Sequence, residues 1–114
     1  MLNTMNKFIK FLDGTTMDKD IFLNELLIKP HLLEKIEQNE AICIEAVKQN
    51  GYTLEFVKTQ TEQICLEAVK QNGFALYCVL NQTEQICLEA VKQKGWALKF
   101  VKKQTEKNKQ IIYV

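Results

Sequence analysis

From Asn39 onward the apolar residues fall in the same places every 22 positions. Asn39 to Gln60 reads NEAICIEAVKQNGYTLEFVKTQ, Thr61 to Gln82 reads TEQICLEAVKQNGFALYCVLNQ, and Thr83 to Gln104 reads TEQICLEAVKQKGWALKFVKKQ. The second and third units agree at 16 of 22 positions and the first and second at 13. Such a period marks a repeat architecture, in which each unit buries its apolar face against its neighbours. Within each unit a helix-favouring run is interrupted at Gly51, Gly73 or Gly95, and an aromatic follows at once: Tyr52, Phe74 or Trp96. A glycine just past a helix end supplies the left-handed residue of a Schellman cap, and the next apolar side chain folds back on the last turn. Asn39, Thr61 and Thr83 stand where that first helix begins, with side chains able to accept from its unpaired amides. Two short helices per unit are predicted.

Spacing the residues of the first helix by ~100° puts Ile42, Cys43, Ile44, Ala46 and Val47 on one broad side and Glu45, Lys48 and Gln49 on the other. On the second helix Tyr52, Leu54, Phe56 and Val57 are predicted to face inward, and Glu55, Lys58 and Thr59 outward. An unbroken helix in a right-handed supercoil, with its repeat of about 11 residues, would show the same period, but the Gly-aromatic step argues against it.

The ends are less regular. Asp18 to Gln38 fits a worn unit of 21 residues, with Ile21 in the place of Ile42, Pro30 in that of Gly51, and Leu33 and Ile36 in those of Leu54 and Val57. Met1 to Leu12 is predicted as a short amphipathic helix ended at Asp13-Gly14. Thr105 to Val114 is predicted to start another first helix and then depart from the pattern at Ile111-Ile112-Tyr113. Both would serve as lids over the apolar ends of a stack. The expected fold is all-α: a solenoid-like stack of helical hairpins forming one domain over 1–114. Residues 1–38 supply an N-terminal cap and degenerate repeat; 39–60, 61–82 and 83–104 are regular units; 105–114 form a C-terminal half unit and cap.

Composition changes this picture little. Apolar residues make up 46% and charged residues 25% of 114, which suits a folded domain and excludes the disordered classes. No apolar run approaches the ~18 residues of a membrane span, and the start lacks a signal peptide's pattern, so a cytoplasmic protein is expected. Cys43, Cys65 and Cys87 recur at the repeat period and, with Cys78, are expected to be small buried thiols rather than bridges or metal ligands. Equivalent atoms of neighbouring repeats sit roughly 9–10 Å apart, too far to share a metal. His31, the single histidine, has no repeating Cys, Asp or Glu partner to make a catalyst. Glu45, Glu67 and Glu89 each precede Lys48, Lys70 and Lys92 by three residues, which reads as a solvated face of Glu-Lys pairs. No phosphate loop, nucleophile elbow or zinc-protease motif occurs. The expectation is a chain that is not an enzyme and works without cofactor or metal.

The informative positions are those where the units differ, on the outward side of the second helix. They are Glu55, Lys58 and Thr59 in the first unit, Tyr77, Leu80 and Asn81 in the second, and Lys99, Lys102 and Lys103 in the third. The middle unit carries apolar groups where its neighbours carry charge. Because Cys78 replaces the inward Phe56 and Phe100, two readings stay open: the helix rotates to bury Tyr77, or Tyr77 and Leu80 form an exposed anchor rimmed by lysines. Residues 1–90 carry 8 Lys against 13 acidic groups, net −5, while 91–114 carry 7 Lys against Glu106, net +6. The basic end could meet an acidic protein surface or a nucleic-acid backbone. Tyr77, Leu80, Lys99, Lys102 and Lys103 are the candidate partner-binding residues, for a protein partner with an acidic surface. Nucleic-acid binding or scaffolding through the basic third is the alternative, and neither a membrane nor a small-molecule substrate is expected.

The block ICLEAVKQNGxALxxVxxQTEQ, standing at Ile64 to Gln85, resembles the short helical repeats catalogued as a domain of unknown function, DUF4116. The resemblance covers about Asn39 to Gln104. It implies a helical repeat fold and no known activity or catalytic residue, and it implies repeats found in giant viruses and some bacteria, often in longer arrays. A chain this short, irregular at both ends, is expected to be a complete small protein. That context suggests a sharper expectation, an inhibitor made by a virus or mobile element that occludes a host defence nuclease such as a CRISPR effector, acting in the host cytoplasm. An unchanged restriction of phage in cells making the protein would sink it.

Overall fold

The computed structural model of the chain describes residues 7–102. Among the described residues four α-helices, each with a six-residue 3-10 helix after it, follow a short β-hairpin. Helices α2 (Glu40–Gln49), α3 (Glu62–Gln71) and α4 (Glu84–Gln93) begin at Asn39, Thr61 and Thr83, whose side chains accept from the amides of Ile42, Ile64 and Ile86. These are the predicted starts, made by capping of the first turn. The 3-10 helices Gly51–Phe56, Gly73–Cys78 and Gly95–Phe100 run back along the α-helices. The stack is elongated, 48 × 27 × 22 Å. Its core runs the length of the described chain and includes Val47, Leu54, Ala68, Val69, Leu76, Ala90 and Val91.

The second helix of each unit is 3-10, where an α-helix was predicted, and in the regular units a glutamine staples its end. Gln60 Nε2 donates to the carbonyls of Leu54 (3.2 Å) and Cys78 (3.0 Å), while its Oε1 accepts from the Leu80 amide at 3.0 Å and the Cys65 thiol at 3.6 Å. Gln38 and Gln82 repeat the pattern one unit away, reaching Phe56 and Lys58, and Phe100 and Lys102. In an α-helix the Lys58 amide would bond the Leu54 carbonyl. Instead it donates to Gln38, and the Leu54 carbonyl takes the Val57 amide at 3.1 Å. The staple thus takes the donor that would extend the segment as an α-helix, and the last bond is of the tighter 3-10 kind. Every staple joins two consecutive units.

The break between the two helices also differs from the predicted Schellman cap. Asn50 and Asn72 are extended, with side chains that accept from the amides of Tyr52 and Phe74 at 3.0 Å and so start the 3-10 helix. Among the described residues only Gly14 has a left-handed backbone, φ +93°. Gly51 and Gly73 serve closeness instead. Their amides donate to Gln71 (2.6 Å) and Gln93 (2.5 Å) of the following unit, and a side chain at Gly51 would stand 2.7 Å from the Ala68 carbonyl.

The worn unit follows the same plan. Asp18 caps α1 (Lys19–Glu25) by accepting from Asp20 and Ile21, and Pro30 opens the 3-10 helix Pro30–Lys35. Leu33 and Ile36 are fully buried, as their alignment requires. Ile21 is not: Phe22 and Leu26 fill the core while Ile21 lies 55% exposed, because in the described chain no helix packs on that side of α1 as α1 and α2 pack on their followers.

Ahead of the worn unit, the predicted amphipathic helix over Met1 to Leu12 is replaced in its described part by a hairpin. Strands β1 (Phe8–Lys10) and β2 (Thr16–Asp18) pair antiparallel with Ile9 opposite Met17. Asp13 accepts from the Thr15 amide and hydroxyl, and Gly14 supplies the left-handed turn residue. Turn chemistry combined with Phe8 out, Ile9 in, Lys10 out favours the strand period of two over the helical period. The Thr15 hydroxyl bond also holds the Asp13 carboxyl below its ordinary range. Phe11 then packs edge-on against Phe22, ring centres 5.8 Å apart, and bridges to Ile36. Met1 to Asn6, Lys103 and the predicted C-terminal lid lie outside the described residues.

Candidate partner-binding surface

All four cysteines are buried. Burial, with the nearby Glu40 and Glu62 carboxylates second, pushes the Cys43 and Cys65 thiols from 9.0 up to about 11, and burial also raises Cys78 and Cys87. Cys43, Cys65 and Cys87 each donate to a staple glutamine. Since the thiolate is the nucleophile, the native thiols should react with a disulfide reagent at pH 8 far more slowly than after unfolding. A raised folded pKa means stability that is intact below pH 9 and lost as pH climbs through about 11. Urea melts between pH 8 and 11 should show that loss, and a Cys43→Ala, Cys65→Ala chain should have the flatter slope. Equal slopes would show that these thiols stay accessible.

His31 lies exposed on the 3-10 helix Pro30–Lys35, and among the described residues no three His, Cys, Asp or Glu side chains gather as a metal site. The Glu-Lys face pairs differently from expectation. Lys48 reaches Glu67 of the next unit at 4.0 Å, and Lys19 reaches Glu45 at 3.4 Å. Both join neighbouring units because stacked helices bring those side chains closer than one helix turn does. At the surface such pairs contribute little, about 0–1 kcal/mol each.

The variable side of the 3-10 helices decides between the two readings of Tyr77. Cys78 is 8% exposed and Tyr77 51%, so the helix keeps the register of its neighbours and presents the tyrosine. Its ring leans between units, 6.0 Å from Tyr52 and 5.8 Å from Phe100, and Phe100 meets Phe74 edge-on at 6.2 Å. The Lys99 ammonium lies 5.1 Å from the Phe100 ring centre, which sets a cation beside the ridge. A side-chain bond with Cys78, then burial, then the charges of Cys78 and Glu55 push the Tyr77 hydroxyl up to about 12.

Leu80 is 75% exposed and sits elsewhere. It lines a groove at the junction of two units with Gln60, Thr61, Glu62, Cys65, Asn81, Thr83 and Ile86. The same groove recurs one unit earlier, with Lys58 in the place of Leu80. Lys102 is exposed one unit later, and Lys103 lies outside the described residues. The structure thus brings Tyr77 and Lys99 together through Phe100, whereas Leu80 and Lys102 belong to a parallel row. Sequence reasoning missed Trp96, the glycine-following aromatic of the last regular unit, which is 78% exposed. The aromatic's change from Tyr52 and Phe74 to Trp was the available signal.

The residues that build this geometry are those of a catalogued repeat. A model of the domain of unknown function DUF4116 matches residues 39–83 and again 61–105, more than half of the chain. The chain belongs to the DUF4116 family. Each match spans two units together with the first residue of the next, the capping residue Thr83 in the first case. No curated protein and no solved structure matches the chain. Among its described residues this DUF4116 protein has no helix long and apolar enough to cross a membrane.

Proposed function

We propose that this DUF4116 chain is a non-catalytic protein-binding module whose partner docks on the variable side of the 3-10 helices. The observation that carries the reading is Tyr77, half exposed on a ridge of rings where the register would have allowed a buried aromatic instead. An aromatic ridge beside exposed lysines is the composition of an anchored interface with a charged rim. Lys92, Lys94, Lys99 and Lys102 are all exposed at this end, and they suit a partner with an acidic surface.

The test is an affinity capture in which the intact chain is compared with a Tyr77→Ala, Leu80→Glu chain. Both positions are exposed, so circular dichroism and melting should be unchanged. The variant should lose the partner, with truncation of the anchor reducing affinity at least tenfold. Undiminished capture by the folded variant would end this reading.

A further inference from the structure

Asn50-Gly51 and Asn72-Gly73 are the two asparagine-glycine pairs of the chain, each at the break between the two helices of a unit. Glycine has no Cβ to hinder an approach to its own nitrogen, so the side chain before it can close on the backbone. In that reaction base takes the glycine amide proton and the nitrogen attacks the asparagine Cγ. A C–N bond forms, the bond to the side-chain nitrogen breaks, and ammonia leaves a five-membered succinimide. Water then opens the ring, giving aspartate or, with the backbone rerouted through the side chain, isoaspartate. Nothing is oxidised or reduced, and water is the only co-reactant.

The stack holds both reacting atoms off this path. The Gly51 amide donates to Gln71 Oε1 at 2.6 Å and the Gly73 amide to Gln93 Oε1 at 2.5 Å, so the proton that must leave is fixed on an acceptor. Both glycines are buried. Asn50 Oδ1 accepts from the Tyr52 amide at 3.0 Å while its Nδ2 donates to the Leu26 carbonyl at 3.2 Å, and Asn72 Oδ1 accepts from the Phe74 amide at 3.0 Å. Turning either Cγ onto the glycine nitrogen breaks these bonds. Gln71 and Gln93 end α3 and α4, and so belong to the following unit in each case. In the third unit Lys94 stands in place of the asparagine. We propose that Asn50-Gly51 and Asn72-Gly73 are latent deamidation sites, kept shut by the glutamine of the next unit and released when the junction between the units opens. Conversion then resists reversal. An aspartate formed from Asn50 has no donor for the Leu26 carbonyl at neutral pH. Isoaspartate adds a backbone carbon beside Gly51, where a single Cβ would already stand 2.7 Å from the Ala68 carbonyl. Each opening is thereby recorded as a junction that no longer closes in register.

The experiment incubates the full chain at pH 8, folded and in guanidinium chloride, and follows each site by digestion and mass spectrometry, with isoaspartate separated by chromatography. Asn81, exposed and followed by Gln82 instead of glycine, is the internal reference and should stay slow throughout. Asn50 and Asn72 should convert at least about tenfold more slowly in the folded chain than in the unfolded one, because only the open fraction reacts. Gln71→Ala should speed Asn50 by about tenfold and leave Asn72 at its parent rate, and Gln93→Ala should do the reverse. Gln71→Glu, whose carboxylate still accepts from the Gly51 amide, should keep Asn50 slow. A substitution that merely loosens the stack would speed both sites together. That outcome overturns the proposal, as does a Gln71→Ala chain with Asn50 unchanged or a folded chain that converts as fast as the unfolded one.

Discussion

Replacing Gln60 with alanine is expected to lower the unfolding free energy by about 2–5 kcal/mol, a loss shared by the equivalent glutamines Gln38 and Gln82. The side chain makes four hydrogen bonds, three of them with backbone groups: the Leu54 and Cys78 carbonyls and the Leu80 amide. Its removal also strands the Cys65 thiol, which is 3% exposed. Each buried polar group left unmatched costs ~1–3 kcal/mol, and the total is held below the sum because water can reach the Leu80 side of the site. Gln60→Glu separates bonding from shape. A carboxylate keeps the acceptor for Leu80 but turns an oxygen on two carbonyls, so it should be nearly as damaging at pH 7 and recover at acid pH, when the carboxyl can donate to one of them. Urea denaturation of the three chains at pH 4 and 7 checks this; a loss under 1 kcal/mol for Gln60→Ala would mean that apolar packing alone holds the units in register.

That glutamine marks the limit of what the sequence makes legible. Helix starts were readable because a cap is local: Asn39, Thr61, Thr83 and Asp18 each bond an amide within three residues. Leu33 and Ile36 were readable because burial follows period, which survives even in the worn unit. Gln38, Gln60 and Gln82 were visible as constant positions, yet their partners lie 18 and 20 residues away in the next unit, and spacing along the chain does not reveal a contact between units. The bonds that end the second helix of the regular units were hidden for the same reason, since the Lys58, Leu80 and Lys102 amides are taken by a glutamine of the preceding unit. Period reasoning also failed at Phe8 to Met17, where a two-residue alternation and the Asp13-Gly14 turn outweigh the few apolar matches to a helix. At the candidate surface, outward positions were legible for Leu80, Lys99 and Lys102, while Tyr77 stayed open between burial and exposure until Cys78 was seen to be buried. The ridge was not, because Tyr52 and Phe100 join Tyr77 only when units stack.

The second large effect is expected at Gly73, where alanine should destabilise the chain by about 2–4 kcal/mol and more than Gly51→Ala does. Neither glycine has the left-handed backbone that makes glycine obligatory at turns, so propensity alone predicts alanine to be tolerated. Space predicts otherwise. A Cβ at Gly51 would lie 2.7 Å from the Ala68 carbonyl and 2.9 Å from Gln71 Oε1; at Gly73 the Ala90 carbonyl would be closer still, with Gln93 Oε1 and Lys94 Cβ at 3.0 Å. Gln71 and Gln93 could swing away, but each would abandon the glycine amide that it accepts from. The carbonyls belong to α3 and α4 and move only if the whole helix does, which would open the contact between units along Val69 and Val91. Gly14→Ala supplies the contrast: nothing lies within 4 Å of its Cβ, but its φ of +93° strains any side chain, so its cost should be about 1 kcal/mol and confined to the hairpin. Hydrogen exchange distinguishes the two mechanisms. Gly73→Ala should release amides on both sides of the junction between the second and third regular units, and Gly14→Ala only those of β1 and β2. A Gly73→Ala chain as stable as the parent would mean that the units can slide apart without cost, and the register that sets Tyr77 against Phe100 would then lack its physical basis.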